Sequence, residues 1–504
     1  MPARTRRRTV GLRAHTVPPV VKRGKSKRAP LRAKRRARKA PAGVLVVNMM
    51  PKSLSGEENQ DSEPTLSVNP ANPRQIAASA FTPDPSEGPR APIYVSTDGG
   101  NTWTLNSIVP STVADGSATA DITVAFGTSS NFLYAGIIRF PFPGDRTRLN
   151  ILRTQNFQTT TTMKVLVDRT GRGVDQPYVQ AATVPSGPDK GKDRVYVGDN
   201  DFSAVGGKTA TIDESLNGAA ANPAFKSVRI ESRATSGQDG PTIRPSIHSD
   251  GTIYAIFHAW RSFDDGTGEG SADIVVVRDD KGGASVKPFA DLVDPGDNKA
   301  GMRVVRGAKF NFNGFLGLQR TGGDVSIAVD PNNSGIVYIA YNDDQANNVY
   351  ALHVLRSNDR GRTWSAELKR VNNALNPALA INTDGKLGLL YQQLTGAGAS
   401  QQWVTRFETT TNGSSWTGLT LAQTPATTPP KQFDPYLGDY EHLMAVGKSF
   451  YGIFSASNIP RKTNFPCGVT YQRNANWQSN TLLDVDQVTS VKPSIDPFFF
   501  KVPG

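Results

Sequence analysis

The chain has 504 residues, rich in Gly (47) and Pro (35), with one Cys and five His. The lone Cys467 excludes an internal disulfide framework, and five His without metal-type spacing argue against a zinc site. The net charge of +13 is unevenly placed: residues 1–56 hold 17 Lys/Arg and no acid, which leaves 40 basic against 44 acidic residues in the rest.

The first 56 residues, with Arg4, Arg6–Arg8, Lys22–Arg28 and Arg32–Lys39, carry too few apolar side chains to form a core. They read as a basic, disordered tail suited to nucleic acid or another anionic surface. The apolar stretch 43–50 (GVLVVNMM) is too short to cross a membrane, and no transmembrane or secretory segment is evident. The body is therefore expected to span 57–504.

From Glu57 onward one pattern recurs: a polar residue, a short apolar strand, a turn and a second strand. Its first copy is Glu63–Val68 turning into Gln75–Phe81. The second and third, at Asp121–Arg139 and Asp175–Asp199, match less well. Arg244–Trp260, Asp324–Tyr341, Asn376–Tyr391 and Gly438–Ser455 complete a set of seven hairpins. Long repeats of strands without helices predict an all-β fold, a β-propeller of four-stranded antiparallel blades. Seven blades are favoured and six stay open; a parallel β-helix would show a shorter, more regular period.

Two octets share the spacing Ser-x-Asp-x-Gly-x-Thr-Trp: Ser96, Asp98, Gly100 and Trp103, then Ser357, Asp359, Gly361 and Trp364. A weaker copy, 409–416, keeps Gly413, Ser415 and Trp416. The Asp accepts bonds from turn amides, the Gly supplies a positive φ, and the Trp buries its ring. These octets resemble the Asp-box, or bacterial neuraminidase repeat, of sialidase-like β-propellers. The resemblance extends over 57–504 and implies that the octets are structural turns between the outer strands of a blade. It also implies a secreted or cell-surface bacterial protein.

Residues leading into inner strands, or ending second strands, would ring the channel: Glu63, Asp121, Asp175, Arg244, Asp324, Asp439, Tyr440 and Glu441, with Arg139, Asp199, Asp201, Arg261, Asp343 and Asn458. The resemblance implies a glycoside hydrolase acting exo on sialosides. Its substrate carboxylate would be held by Arg139, Arg244 and Arg261, with Asp439 beside them. Tyr440 would be the nucleophile, Glu441 or Asp175 its partner, and Asp121 the acid/base. The family's Arg-Ile-Pro motif is absent, since Glu63 precedes Pro64. A non-catalytic propeller that binds glycan or protein is the alternative. No cofactor motif is present; the turn aspartates leave room for a structural Ca²⁺, though without EF-hand spacing.

Overall fold

The computed structural model describes residues 43–504 apart from 82–90, 111–117, 143–145, 160–161, 170–172, 204–206, 237–242, 313–324, 346–348 and 433–434. The tail 1–42 and Asp324 lie outside the described residues.

All seven expected hairpins form the two innermost strands of seven antiparallel blades. The inner strands are Thr65–Val68, Ala118–Phe126, Val174–Thr183, Arg244–Ile247, Ser326–Asp330, Ala374–Ile381 and His442–Val446. Each touches the next, and the seventh touches the first, so the ring closes. Blades 1 and 2 are also joined at their outer edges, where Thr104–Pro110 pairs in parallel with Thr162–Arg169.

The two innermost strands of each blade are mostly buried on both faces, which is why they read as short continuous apolar runs. Seven apolar clusters fill the seven gaps between neighbours. Ile93 and Val95 of blade 1 share a cluster with Ile122 and Val124 of blade 2, and at the far end Phe407 of blade 6 meets Phe450 and Phe500 of blade 7.

An inner strand has one edge without a partner strand, and its N–H groups need acceptors. At five of the seven junctions a side chain on one blade's inner strand supplies one. Ser67 accepts from the Phe126 N–H at 2.9 Å, Thr123 from Val179 at 3.0 Å, Ser246 from Val329 at 3.2 Å and Ser326 from Leu379 at 2.9 Å. His442 Nδ1 does the same for Leu66 at 3.2 Å. These hydroxyls lie inside otherwise apolar strands, a signal that hydropathy patterning passes over.

Ring closure corrects the boundary expected at residue 57. Leu45–Asn48 is the fourth strand of blade 7, antiparallel to Ile495–Val502, with Leu45 opposite Lys501 and Asn48 opposite Phe498. Val46, Val47, Met49 and Met50 are all buried. A buried ion pair holds the following segment. Asp496 accepts from Arg473 at 3.0 Å and from Asn48 at 2.7 Å, while Arg473 donates to the carbonyls of Ser55 and Glu57.

The octets sit between the third and fourth strands of blades 1, 5 and 6 and share one hydrogen-bond scheme. Ser96 donates to Asp98 at 2.9 Å, Asp98 accepts the Thr102 N–H at 3.0 Å, and Trp103 Nε1 donates to the Gly100 carbonyl at 3.0 Å. Ser357, Asp359, Thr363 and Trp364 repeat it. In blade 6 the roles fall to Thr410 and Asn412, one residue nearer the Trp than in the other two, so the octet spacing misplaces them.

Gly99 and Gly100 separate two effects. Both have positive φ, at 79° and 92°, but a Cβ on Gly99 meets nothing within 3.9 Å, whereas one on Gly100 would lie 2.1 Å from the Phe499 ring. Gly99→Ala is expected to cost about 1–2 kcal/mol, the left-handed strain alone. Gly100→Ala should cost roughly 1–3 kcal/mol more from overpacking. Urea midpoints of the two variants measure the difference.

Candidate functional site

The segment leading into blade 7 does not line an open cleft. It crosses the axis and ties together the loops that lead into other blades. Gly438, at φ 90°, lies so close to Glu63 that a Cβ would be 2.4 Å from the Glu63 backbone nitrogen. Its carbonyl accepts from Asn376 Nδ2 of blade 6 at 3.1 Å. Asp439 Oδ2 accepts from Gln176 Nε2 of blade 3 at 2.9 Å. The ring of Tyr440 packs on Arg244 of blade 4, whose guanidinium carbon is 4.9 Å from that ring's centroid and 3.7 Å from that of Tyr178. His442 reaches Tyr178 Oη at 2.8 Å through Nε2 and accepts the Leu66 N–H through Nδ1. Since Nδ1 accepts, the imidazole proton sits on Nε2 and is donated to Tyr178.

Three partners of this hub share a local signature. Glu63, Gln176 and Asn376 all adopt a left-handed conformation (φ 57°, 54° and 53°), and each precedes a proline. Proline disfavours the right-handed region for the residue before it. The x-Pro step thus turns Gln176 and Asn376 toward the axis, and a non-glycine held there reports strain maintained by its surroundings. The repeated x-Pro was readable in the sequence and is the signal that would have found these residues.

Burial decides what the expected catalytic set can do. Tyr440 is 2% exposed with a buried Oη, and Glu441 is 3% exposed. Asp121 is buried at a bulge between Thr119 and Ile122. Asp175 is half-buried, the least buried of these four, with its Oδ1 accepting the Gln176 N–H at 3.0 Å.

The expected arginines are placed differently from one another. Arg244 is clamped between two tyrosine rings. Arg139 is fully buried in blade 2, donating to Asn150 at 3.3 Å. Arg261 spends Nε on Asp273, Nη2 on Glu231 and Nη1 on the Ala234 carbonyl, all within 2.9 Å. That pattern pins the segment before blade 4 to its second strand and leaves Arg261 no free fork for a substrate carboxylate.

The second-strand ends are equally occupied. Asp199 and Asp201 bind Arg169 between blades 2 and 3 at 2.5 and 3.0 Å. Burial, and then the neighbouring Asp213, push the Asp199 carboxyl well above the usual range. Asp343 pairs with His353 at 2.8 Å, and Asn458 donates to Asp496 at 2.6 Å.

Below the hub the central channel runs along all seven inner strands, with a volume of about 290 Å³. At its hub end lie Tyr178, Arg244, Glu441 and His442; the walls mix apolar side chains with Ser67, Gln180, Ser246 and Ser326 down to Pro70, Thr128, Ile247, Val329 and Ala445. Among the described residues no group of three or more His, Cys, Asp or Glu side chains is disposed to hold a metal.

Two buried histidines make stability depend on acid. Burial lowers His258 to about 4, and burial followed by the Arg244 charge lowers His442 to about 3. Both are neutral when folded, whereas unfolded His binds a proton near 6.5. Their contribution is complete above that value and is lost as pH falls through the folded values. By pH 5 each is expected to remove about 2 kcal/mol. His258→Leu should lose less stability between pH 7.5 and 5 than the parent chain, read from denaturant midpoints.

No protein-family model and no curated protein matches the sequence. Similar solved structures include an α-L-arabinofuranosidase from Fusarium graminearum (13% identity, TM-score 0.41, 69% of this chain and 92% of that one). A sialidase from Trypanosoma rangeli is similar at 15% identity and TM-score 0.39, covering 92% of this chain and 60% of that one. An arabinanase from Bacillus subtilis follows at 12% identity and TM-score 0.32, covering 60% and 96%. Glycoside hydrolases are thus among the structures this chain is similar to, and the similarity leaves activity open.

Proposed function

We propose that the chain is a glycan-recognising β-propeller in which the Tyr440 set is a structural hub. The observation that carries this is the burial of the Tyr440 hydroxyl, with its ring packed on an arginine that a second tyrosine covers from the other side. A nucleophile must touch its substrate, and this one is sealed. Support for glycan as the ligand class comes from the sialidase-like octets in the sequence. The basic tail, which lies outside the described residues, would add attachment to an anionic surface, with binding that weakens as salt rises.

The test uses the full chain on immobilised sialylated and non-sialylated glycans, beside turnover of a fluorogenic glycoside panel. Retention on glycan without turnover is expected. Sialoside turnover that vanishes in Tyr440→Phe would overturn the reading. A hydrolase reading is favoured by one observation, the half-buried state of Asp175 beside three buried candidates; turnover that survives Tyr440→Phe and is lost in Asp175→Asn would establish it.

A further inference from the structure

Glu441 is the residue that the hub does not explain. Its neighbours in sequence have assigned contacts, yet both of its carboxylate oxygens are buried with no hydrogen-bond partner among the described residues. A buried carboxylate without a partner is among the more costly arrangements a fold can hold. Here it lines a channel with room for solvent; a water takes ~30 Å³, so roughly ten fit by volume.

Other buried acids lie on the adjoining segments. Asp61, Glu63, Asp439 and Glu441 are 0%, 5%, 1% and 3% exposed, on two segments that touch where Gly438 meets Glu63. Arg244 is the one Lys or Arg among the described residues lining the channel, and its guanidinium lies against two rings. Burial raises the Glu441 carboxyl well above its usual range, and no cationic side chain offsets that. With a protonated carboxyl served by channel water, the chain would melt alike in every monovalent salt, whereas an ionised one calls for a counter-charge. A hydrated cation reaching Glu441 along the channel neutralises its carboxylate and supplies partners for both oxygens. Ca²⁺ takes about six to eight oxygens, and among the described residues no group of three or more acidic, His or Cys ligands is disposed to hold it. An alkali ion keeps much of its water and needs fewer.

We infer that the hub end of the central channel binds a small monovalent cation, Na⁺ or K⁺, on the Glu441 carboxylate. This stands apart from the glycan reading, because it concerns the channel beneath the hub and is read without any sugar.

The test is the melting temperature of the full chain in NaCl, KCl, CaCl₂ and N-methylglucamine chloride, at equal ionic strength and pH. Na⁺ or K⁺ is expected to raise it by about 2–5 °C over the bulky organic cation. Glu441→Gln is expected to fold and to melt at one temperature in the three monovalent salts. Equal melting of the parent chain in those three salts would overturn the inference, as would a salt difference that persists in Glu441→Gln. A larger shift in CaCl₂ would overturn the monovalent assignment. Should the variant not fold, ²³Na line broadening by the parent chain decides: broadening that K⁺ relieves supports the site, and its absence overturns it.

Discussion

A chain beginning at residue 57 is expected not to fold, whereas one beginning at residue 40 is expected to match the full chain in melting temperature. The difference is the strand Leu45–Asn48, which completes blade 7 and so closes the ring. Val46, Val47, Met49 and Met50 are each at most 2% exposed. At about 1.5–3 kcal/mol for each buried side chain, their loss amounts to roughly 6–12 kcal/mol, comparable with the whole stability of a domain. The truncation also exposes the edge of Ile495–Val502 and leaves Asp496 without Asn48. An exposed, apolar edge strand templates association, so the shorter chain should accumulate as aggregate. Circular dichroism melting and size-exclusion profiles of the two chains check this. A soluble, cooperatively melting chain from residue 57 would show that the ring closes without its terminal strand.

The second large effect is expected at the hub. Gly438→Ala places a methyl 2.4 Å from the Glu63 backbone nitrogen at a φ of 90°. Backbone cannot step aside as a flexible side chain can, and alanine at positive φ adds its own strain. The combined cost is expected at about 3–5 kcal/mol, from the left-handed penalty and overpacking together. Because Gly438 also presents its carbonyl to Asn376, the loss should spread to blades 1 and 6. Gly447→Ala is the control, since its φ is 59° and nothing lies within 4 Å of an added Cβ. Denaturant midpoints should place Gly447→Ala about 1–2 kcal/mol below the parent chain, from left-handed strain alone, and Gly438→Ala well below that.

Much of the fold was legible because it is written locally. Each inner hairpin pairs an apolar strand with a turn such as Asp250-Gly251 or Asp384-Gly385, and the structure places those turns where the sequence does. The intact octets announced their turns for the same reason: every group that Asp98 or Asp359 binds lies within four residues. The closing strand was hidden by distance. Its apolar residues follow a run of Lys and Arg, and its partner lies some 450 residues later in the chain.

The candidate site was legible in position and not in role. Tyr440, Glu441, Asp439 and Arg244 do gather at the axis, as loops leading into propeller strands must. What separates a catalytic ring from a structural hub is whether the side chains reach solvent, and that depends on how the 438–442 segment crosses the channel. Arg261 shows the same limit: only the fold brings Asp273 and Glu231 to it. The inner-strand hydroxyls Ser67, Thr123, Ser246 and Ser326 went unread because their partners sit on the next blade.

Hydrogen exchange across residues 438–442 tests most directly whether this segment is a closed hub. A hub held by blades 1, 3, 4 and 6 should exchange its amides at the rate set by global unfolding, alongside the strand Ser449–Ser457. Exchange far faster than that strand's would mean that the segment opens in the folded protein and exposes Tyr440, which would contradict the structural role given to it here.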